Sequence, residues 1–504
     1  MRKIFSIGPK DFLTSIAPSA HTEAGGLWFK ADGINPVYDP GGTESIENGL
    51  LQAGAAGIAF GDGNNIGSTA DTIFCGESYV TGGTAYLFMM GKSGHFYLKA
   101  VGSGDMIDRA ATNQIANSAN GLTIWGPAGG TVKLYYWQRE QIGAYDMTGN
   151  NHPATADSHW NDAVYTGLYA SYNHQAHKFQ GNVYYANGPY IGALLDNGSG
   201  GVTHSSNVLD FPTNLKCTAI SDDGTYLVAA VTENSAGNDT FAKNKVVFWD
   251  LYSSQWTREY DIRDPFIWAI KKIGNTNYAF GQYGIYEVSF GGVTKILSRL
   301  IGFGTMSDLN VGYGANRATV YNGQALIFGT DTTVDTFGKL SPELQNAYLK
   351  PFKIPSSVGT PTFISTDLDS GRVYVATDGG SGASKFYGFD FNATTRGTGV
   401  SAQTVYLPLG DKYQIERVDV IFGEPLASGD SMNIQLKTDE DSALNELTAN
   451  RLTATYANDG AIRRKSMLVQ GFFAEEQLSV VINFVAGAPK IKRIEIYGSI
   501  LPVK

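Results

Sequence analysis

An all-β fold is predicted by three observations: a surplus of glycine, a surplus of aromatics among few charges, and short apolar-aromatic segments recurring at a steady spacing. The 504-residue chain holds 61 Gly and 17 Pro, so about one residue in six is a turn former, against a usual background nearer one in eight. Charged residues make up only 17%, while Tyr 28, Phe 26 and Trp 7 lift the aromatics to 12%. That mix suits strands joined by turns. Long helices need runs of Ala, Glu, Lys, Leu and Arg, and disorder needs few aromatics, so a helical bundle, a coiled coil and a charge-rich disordered chain are disfavoured.

The recurring segments follow glycine turns: Ala85-Tyr86-Leu87-Phe88, Lys133-Leu134-Tyr135-Tyr136, Val183-Tyr184-Tyr185-Ala186, Tyr226-Leu227-Val228-Ala229, Tyr278-Ala279-Phe280-Gly281, Ala325-Leu326-Ile327-Phe328 and Val373-Tyr374-Val375-Ala376. Their starts are separated by 48, 50, 43, 52, 47 and 48 residues. Gly83, Gly181, Gly224, Gly323 and Gly371 each stand two positions before a segment, where a tight turn needs positive φ. A second strand usually follows: Gly143-Ala144-Tyr145-Asp146 and Gly192-Ala193-Leu194-Leu195-Asp196 end two such hairpins in parallel fashion. Hairpins at a 40–50-residue period are the mark of a β-propeller, so the repeat predicts seven blades over residues 66–395. Ser221-Asp222-Asp223-Gly224-Thr225-Tyr226-Leu227 resembles a turn-and-strand segment common in WD-repeat and related propellers, although Trp249-Asp250 occurs once only. The rival reading is a set of antiparallel sandwiches; a spacing held over six intervals favours the propeller.

The ends depart from the repeat. Residues 1–65 carry Gly33-Ile34-Asn35-Pro36, Asp39-Pro40-Gly41-Gly42 and Gly54-Ala55-Ala56-Gly57 with little periodicity, and predict an extended N-terminal arm. Residues 396–504 alternate with period two, as in Gln414–Phe422, Met432–Leu436, Leu478–Phe484 and Lys490–Tyr497, and predict a C-terminal β-sandwich. Helix is expected only over Ser341–Leu349, with Ser as N-cap and Pro at the first helical position, and more weakly over Ser442–Leu452.

Net charge is −10, so the surface field repels phosphate backbones and disfavours ordinary nucleic-acid binding, while suiting a conduit through which nucleic acid passes unheld. Two cysteines, Cys75 and Cys217, exclude a disulfide framework and read as buried thiols. Met1-Arg2-Lys3 leads into an apolar stretch broken after four residues, which is no secretory signal, and the strongest apolar run, Tyr86–Met90, is far below the ~18 residues a membrane span needs. A soluble protein assembled in cytoplasm is expected.

No catalytic, cofactor-binding or metal-binding residues are assigned. His152, His159, His174, His177 and His204 cluster in sequence, but the helical His-Glu-x-x-His spacing is absent and strands do not automatically align His174 with His177, so hydrogen-bonded histidines are expected. Thr438-Asp439-Glu440-Asp441-Ser442 with Glu446 lacks the loop glycine and distal Glu of a calcium loop and reads as a solvated turn. Gly61, Gly63 and Gly67 miss the spacing of a phosphate loop and precede no helical pattern. Tyr135, Tyr136 and Trp137 suit either sugar stacking or a blade core, with the core favoured. The carboxylate pair of a glycosidase is a three-dimensional property on which sequence spacing is silent.

The arm with Gly33-Ile34-Asn35-Pro36, Pro40-Gly41 and Gly49-Leu50-Leu51-Gln52, followed by the propeller-like repeat and a strand-rich terminal region, resembles the structural tail proteins of tailed bacteriophages. It is most similar to the propeller-bearing hub or nozzle proteins of short-tailed phages. The resemblance implies a non-enzymatic virion part: a homo-hexameric ring below the head-to-tail adaptor, lining the genome-ejection channel and docking fibres or spikes, with DNA passing unbound. It implies no cofactor and no membrane insertion. Two other classes compete: a receptor-binding or fibre protein recognising host-surface glycans, and a propeller glycosidase.

Overall fold

A computed structural model describes residues 2–7, 28–32, 34–35, 50–52, 72–91, 94–100, 107–108, 118–148, 158–171, 173–233, 244–298, 318–321, 323–328, 333–338, 347–353, 361–366, 372–377, 386–390, 400–404, 406–423, 425–426, 431–438, 445–446, 452–453, 463–474, 477–486 and 490–501. Every regular element among them is a strand. The chain divides into two compact units, one of residues 57–332 and 355–389, the other of 1–56, 333–354 and 390–504.

The first unit is a β-propeller. Its first sheet runs Ile73–Thr81, Thr84–Gly91, Phe96–Ala100 and Ile107–Asp108; its second Ser118–Trp125, Lys133–Gln138, Gln141–Asp146 and Trp160–Thr166. Three more four-stranded antiparallel sheets start at Ala176–Phe179, Leu215–Asp222 and Ile267–Ile273, then come the hairpin Ala318–Tyr321 with Gln324–Phe328 and the sheet Pro361–Thr366, Arg372–Thr377 and Phe386–Asp390. Strands follow one another across each sheet in chain order, so each connection is a hairpin. The first strand of each sheet packs beside the first strand of the next, and Pro361–Thr366 returns to Ile73–Thr81. The ring is therefore closed, with Ser78 Oγ donating to Thr366 O at 2.6 Å across the seam.

Every recurring apolar-aromatic segment of the sequence falls on the second strand of a sheet, Tyr226 standing just before its own. Burial explains why these runs lack alternation. Lys133–Gln138 buries five of its six side chains because neighbouring sheets cover both of its faces. Leu134 and Tyr136 join Phe88, Phe96 and Leu98 in one core, while Tyr135 and Trp137 join Val183, Tyr185 and Leu194 in the next. The fourth strand, Trp160–Thr166, by contrast shows an exposed or partly exposed side chain at every position. Hydrophobic stabilisation, worth about 1.5–3 kcal/mol per fully buried large side chain, is thus concentrated toward the inner strands.

Turn chemistry follows the glycines. Gly83, Gly181, Gly224, Gly274 and Gly323 hold φ between 60° and 94° in the turns that lead into second strands. In the turn at Asp222–Leu227, Asp223 Oδ1 accepts from the N–H of Thr225 at 2.8 Å and of Tyr226 at 2.6 Å, while Asp222 Oδ1 accepts from Gly224 N–H at 2.8 Å. These side chains replace water at the turn's backbone donors.

The second unit holds two antiparallel arrays. One places Leu50–Gln52, Lys490–Ile500, Tyr413–Phe422 and Arg464–Ala474 side by side, with Arg2–Ile7 also laid along Lys490–Ile500. The other includes Trp28–Asp32, Val400–Thr404, Gln477–Ala486 and Ser431–Lys437, and Trp28–Asp32 also meets Ala347–Lys353 in parallel. The extended N-terminal arm expected over 1–65 is therefore corrected wherever it is described: its strands are sheet members, which pairs backbone groups that an arm would leave to water. Residues 333–354, expected within the propeller, belong to this second unit. The helix expected over Ser341–Leu349 is corrected at its end, since Ala347–Lys353 is a strand antiparallel to Thr333–Gly338, while residues 341–346 lie outside the described residues. Over residues 347–349 a ready ladder of backbone hydrogen bonds outweighs local helix propensity. Within the second expected helix, Asn445–Glu446 is a short strand on Ser431–Lys437.

Candidate functional site

The inner strands of the propeller border a cavity of about 330 Å³. Cys75, Gly76 and Glu77 reach it from Ile73–Thr81, Gly121 to Thr123 from Ser118–Trp125, Gln175 to Lys178 from the start of the third sheet, and Lys271 from Ile267–Ile273. Close approach of these strands dictates small residues. A Cβ on Gly121 would lie 2.3 Å from His174 O, and one on Gly76 2.6 Å from Phe88 O.

Polar groups at this end are mostly matched. Glu77 forms an ion pair with Lys178, and its Oε2 accepts from Ile124 N–H at 3.0 Å. His177 Nε2 lies 2.9 Å from Asp222 Oδ2, and Lys272 Nζ donates to Asp222 Oδ1 at 2.8 Å. Asp222 is held well below the usual carboxylate range, first by His177 and then, against partial burial, by Lys272. Gln175 Oε1 accepts from Ile220 N–H at 3.1 Å. Lys271 is the exception: half-buried and with no hydrogen-bonding or ionic partner among the described residues. Desolvation pushes its ammonium down to about 8.

Cys75 does not supply a nucleophile at neutral pH, because burial pushes its thiol up to about 12 against a backbone hydrogen bond from Gly121. Cys217 is likewise buried, and both side chains are thiols rather than disulfide partners.

The five clustered histidines do not converge. His174 is fully buried, with Nδ1 2.7 Å from Ala186 O and Nε2 3.1 Å from Arg139 O. Desolvation lowers its pKa, while the two carbonyls, each an acceptor, pull the other way; the ring lies between the second and third sheets and in its neutral form donates to one of these carbonyls. His204 meets Tyr185 Oη at 2.8 Å and stacks on Tyr165. His159 lies beside Tyr145, and His152 falls outside the described residues. Tyr135, Tyr136 and Trp137 are buried in blade cores. No group of three or more potential metal ligands occurs among the described residues. The glycine run 59–67 and Asp439 to Asp441 lie outside them.

A second charged cluster lies within the other unit. Asp419 and Glu495 sit opposite each other on neighbouring strands, both buried. Like charges so placed repel, and Arg464 answers both, pairing with Asp419 and lying 3.2 Å from Glu495. Lys3 adds a bond to Glu495 at 3.3 Å, and Arg417 lies 3.1 Å from Asp419 while covering the Tyr497 ring. Burial would raise the Glu495 pKa, but the bonds from Tyr497 and Lys3 and the nearby Arg464 charge outweigh it and hold it low.

The funnel cluster was not singled out in the sequence, yet a trace exists there: Glu77 and the Lys271-Lys272 pair interrupt strands that are otherwise largely apolar at their starts.

No protein-family model matches the chain, and no curated protein does. Among solved structures it is similar to the Dos1 propeller, at 10% identity and a TM-score of 0.36 over 67% of this chain and 86% of that one. It is also similar to BamB from Moraxella catarrhalis, at 13% identity and a TM-score of 0.35 over 78% and 98%. An exo-beta-1,3-galactanase from Phanerochaete chrysosporium matches at 10% identity and a TM-score of 0.33 over 89% and 100%. Likeness at this level carries no argument about activity. The closed ring of sheets itself establishes the propeller.

Proposed function

We propose that the chain is a structural, non-enzymatic component of a bacteriophage tail, a hub or nozzle ring assembled in the host cytoplasm. In this reading the propeller has seven blades, one for each inner strand around the ring, and the second unit is a β-sandwich. The observation that carries the reading is the connectivity of the two units. The second unit gathers three separate chain segments, so the backbone passes between the units four times. Such a link suits a part that must bear load, where a single linker would leave domain motion as the default.

Charge pairing in the funnel supports the non-enzymatic side. Glycoside hydrolysis needs a proton-donating acid and a free carboxylate, whereas Glu77 and Asp222 are each neutralised by cations. The net charge of −10 suits a channel part that DNA passes without being held. Partners in this reading are five further copies, a head-to-tail adaptor, and fibres or spikes.

Native mass spectrometry of the purified full chain tests the ring. A complex of six 54.1 kDa chains is expected, alone or on addition of adaptor-capped phage heads lacking the tail. A species that stays a single chain in both settings overturns the proposal.

A further inference from the structure

The funnel cavity carries an unbalanced charge that the structural reading above does not use. Three lysines, Lys178, Lys271 and Lys272, stand at this end of the propeller with two carboxylates, Glu77 and Asp222. Lys178 is taken by Glu77, and Lys272 by Asp222, which also faces His177. Lys271 is left over among the described residues, so a chain of net charge −10 keeps a local cationic excess inside a cavity. A withdrawn ammonium without a counter-ion is unfavourable, and an anion arriving beside it recovers that cost.

Other donors border the same space. The Gln175 side-chain oxygen is engaged by Ile220 N–H, which turns the amide nitrogen into a donor with no partner among the described residues. Thr123, buried on a different inner strand, brings a hydroxyl to the cavity wall. At about 30 Å³ per water, 330 Å³ admits roughly ten waters or an organic acid of similar bulk. We propose that this cavity binds a small anion through a carboxylate or phosphate group, with Lys271 as its counter-ion and Gln175 and Thr123 as hydrogen-bond donors. Neither a cation nor a neutral sugar would balance Lys271.

Calorimetric titration of the full chain with inorganic phosphate, and separately with malonate, tests the site. One site per chain is expected for at least one probe, and the tighter of the two identifies phosphate or carboxylate as the preferred head group. Lys271→Met is expected to weaken binding at least about tenfold, and Lys271→Arg to stay within a few-fold of the parent. Thermal unfolding without anion verifies that Lys271→Met is folded, and the anion should raise the melting temperature of the parent but not of that variant. Absence of binding by both probes, or equal binding by parent and folded Lys271→Met, overturns the proposal.

Discussion

Lys271 shows how a fold sets the chemistry of one side chain. Its ammonium is displaced from bulk water with no carboxylate beside it among the described residues, and its pKa falls from 10.5 to about 8. Between pH 8 and 10.5 the unfolded chain binds the proton that the folded chain has released, so this residue makes stability rise with pH across that window. Below pH 8 the full penalty applies. In anion-free buffer at pH 7, Lys271→Met is therefore expected to melt higher than the parent by a few degrees, roughly 1–2 °C for each kcal/mol relieved in a unit of this size, and to lose that advantage above pH 10.5. Competitive acetylation followed by peptide mass spectrometry gives a second measure: Lys271 should become reactive with a midpoint near pH 8, ahead of the exposed lysines. An unchanged melting point together with an ordinary labelling midpoint would contradict this account. None of this was legible in Lys271 as a letter. A lysine pair within an apolar strand marks something unusual, but only the ring decides which lysine finds a carboxylate.

At the scale of the element, the repeated Gly-Ala step has a specific cause. Tyr136 lies opposite Gly143, and Tyr185 opposite Gly192, in matching hairpins of adjacent sheets. Each ring lies over its glycine so closely that an added Cβ would stand 2.2 Å from ring carbons. Glycine here makes room for an aromatic cross-strand partner, and the ring covers the backbone that glycine exposes. Gly192→Ala should force the Tyr185 ring from its place and cost about 1–3 kcal/mol in urea unfolding, whereas Gly198→Asn, at an exposed turn with φ 73°, should cost little. The second strands were readable because both faces are buried, which converts them to unbroken apolar runs. Ala347–Lys353 was not, because Ser341-Pro342 advertises a helix start locally while the partner that makes a strand, Thr333–Gly338, is invisible to local pattern. The arm misled for the same reason: Arg2–Ile7 gains its ladder from residues almost 500 positions away.

For the whole molecule, closure of the propeller rests on a small apolar seam. Phe363, Tyr374 and Ala376 of the last sheet pack with Ile73, Leu87, Met89 and Tyr97 of the first, and Phe363 is fully buried. Phe363→Ala should cost about 3–5 kcal/mol and broaden the unfolding transition, because the ring loses its join before it loses its individual hairpins. Hydrogen exchange would detect this as early opening of Ile73–Thr81 and Pro361–Thr366 relative to Lys133–Gln138. Uniform protection across those strands would show that the seam is not the weak point. The period of the repeat announced the ring, but the closing contacts could not be read from it, since each side of the seam looks like any other blade.

The pairing of Arg2–Ile7 with Lys490–Ile500 also sets an order of events in time. The ribosome delivers Arg2–Ile7 long before Lys490–Ile500, so the first of these two strands waits unpaired while everything between them is synthesised. Blades can form as they emerge, hairpin by hairpin, but the second unit waits for Lys490–Ile500. A chain that stops short of Lys490–Ile500 would carry an unsatisfied edge that a quality-control protease could recognise.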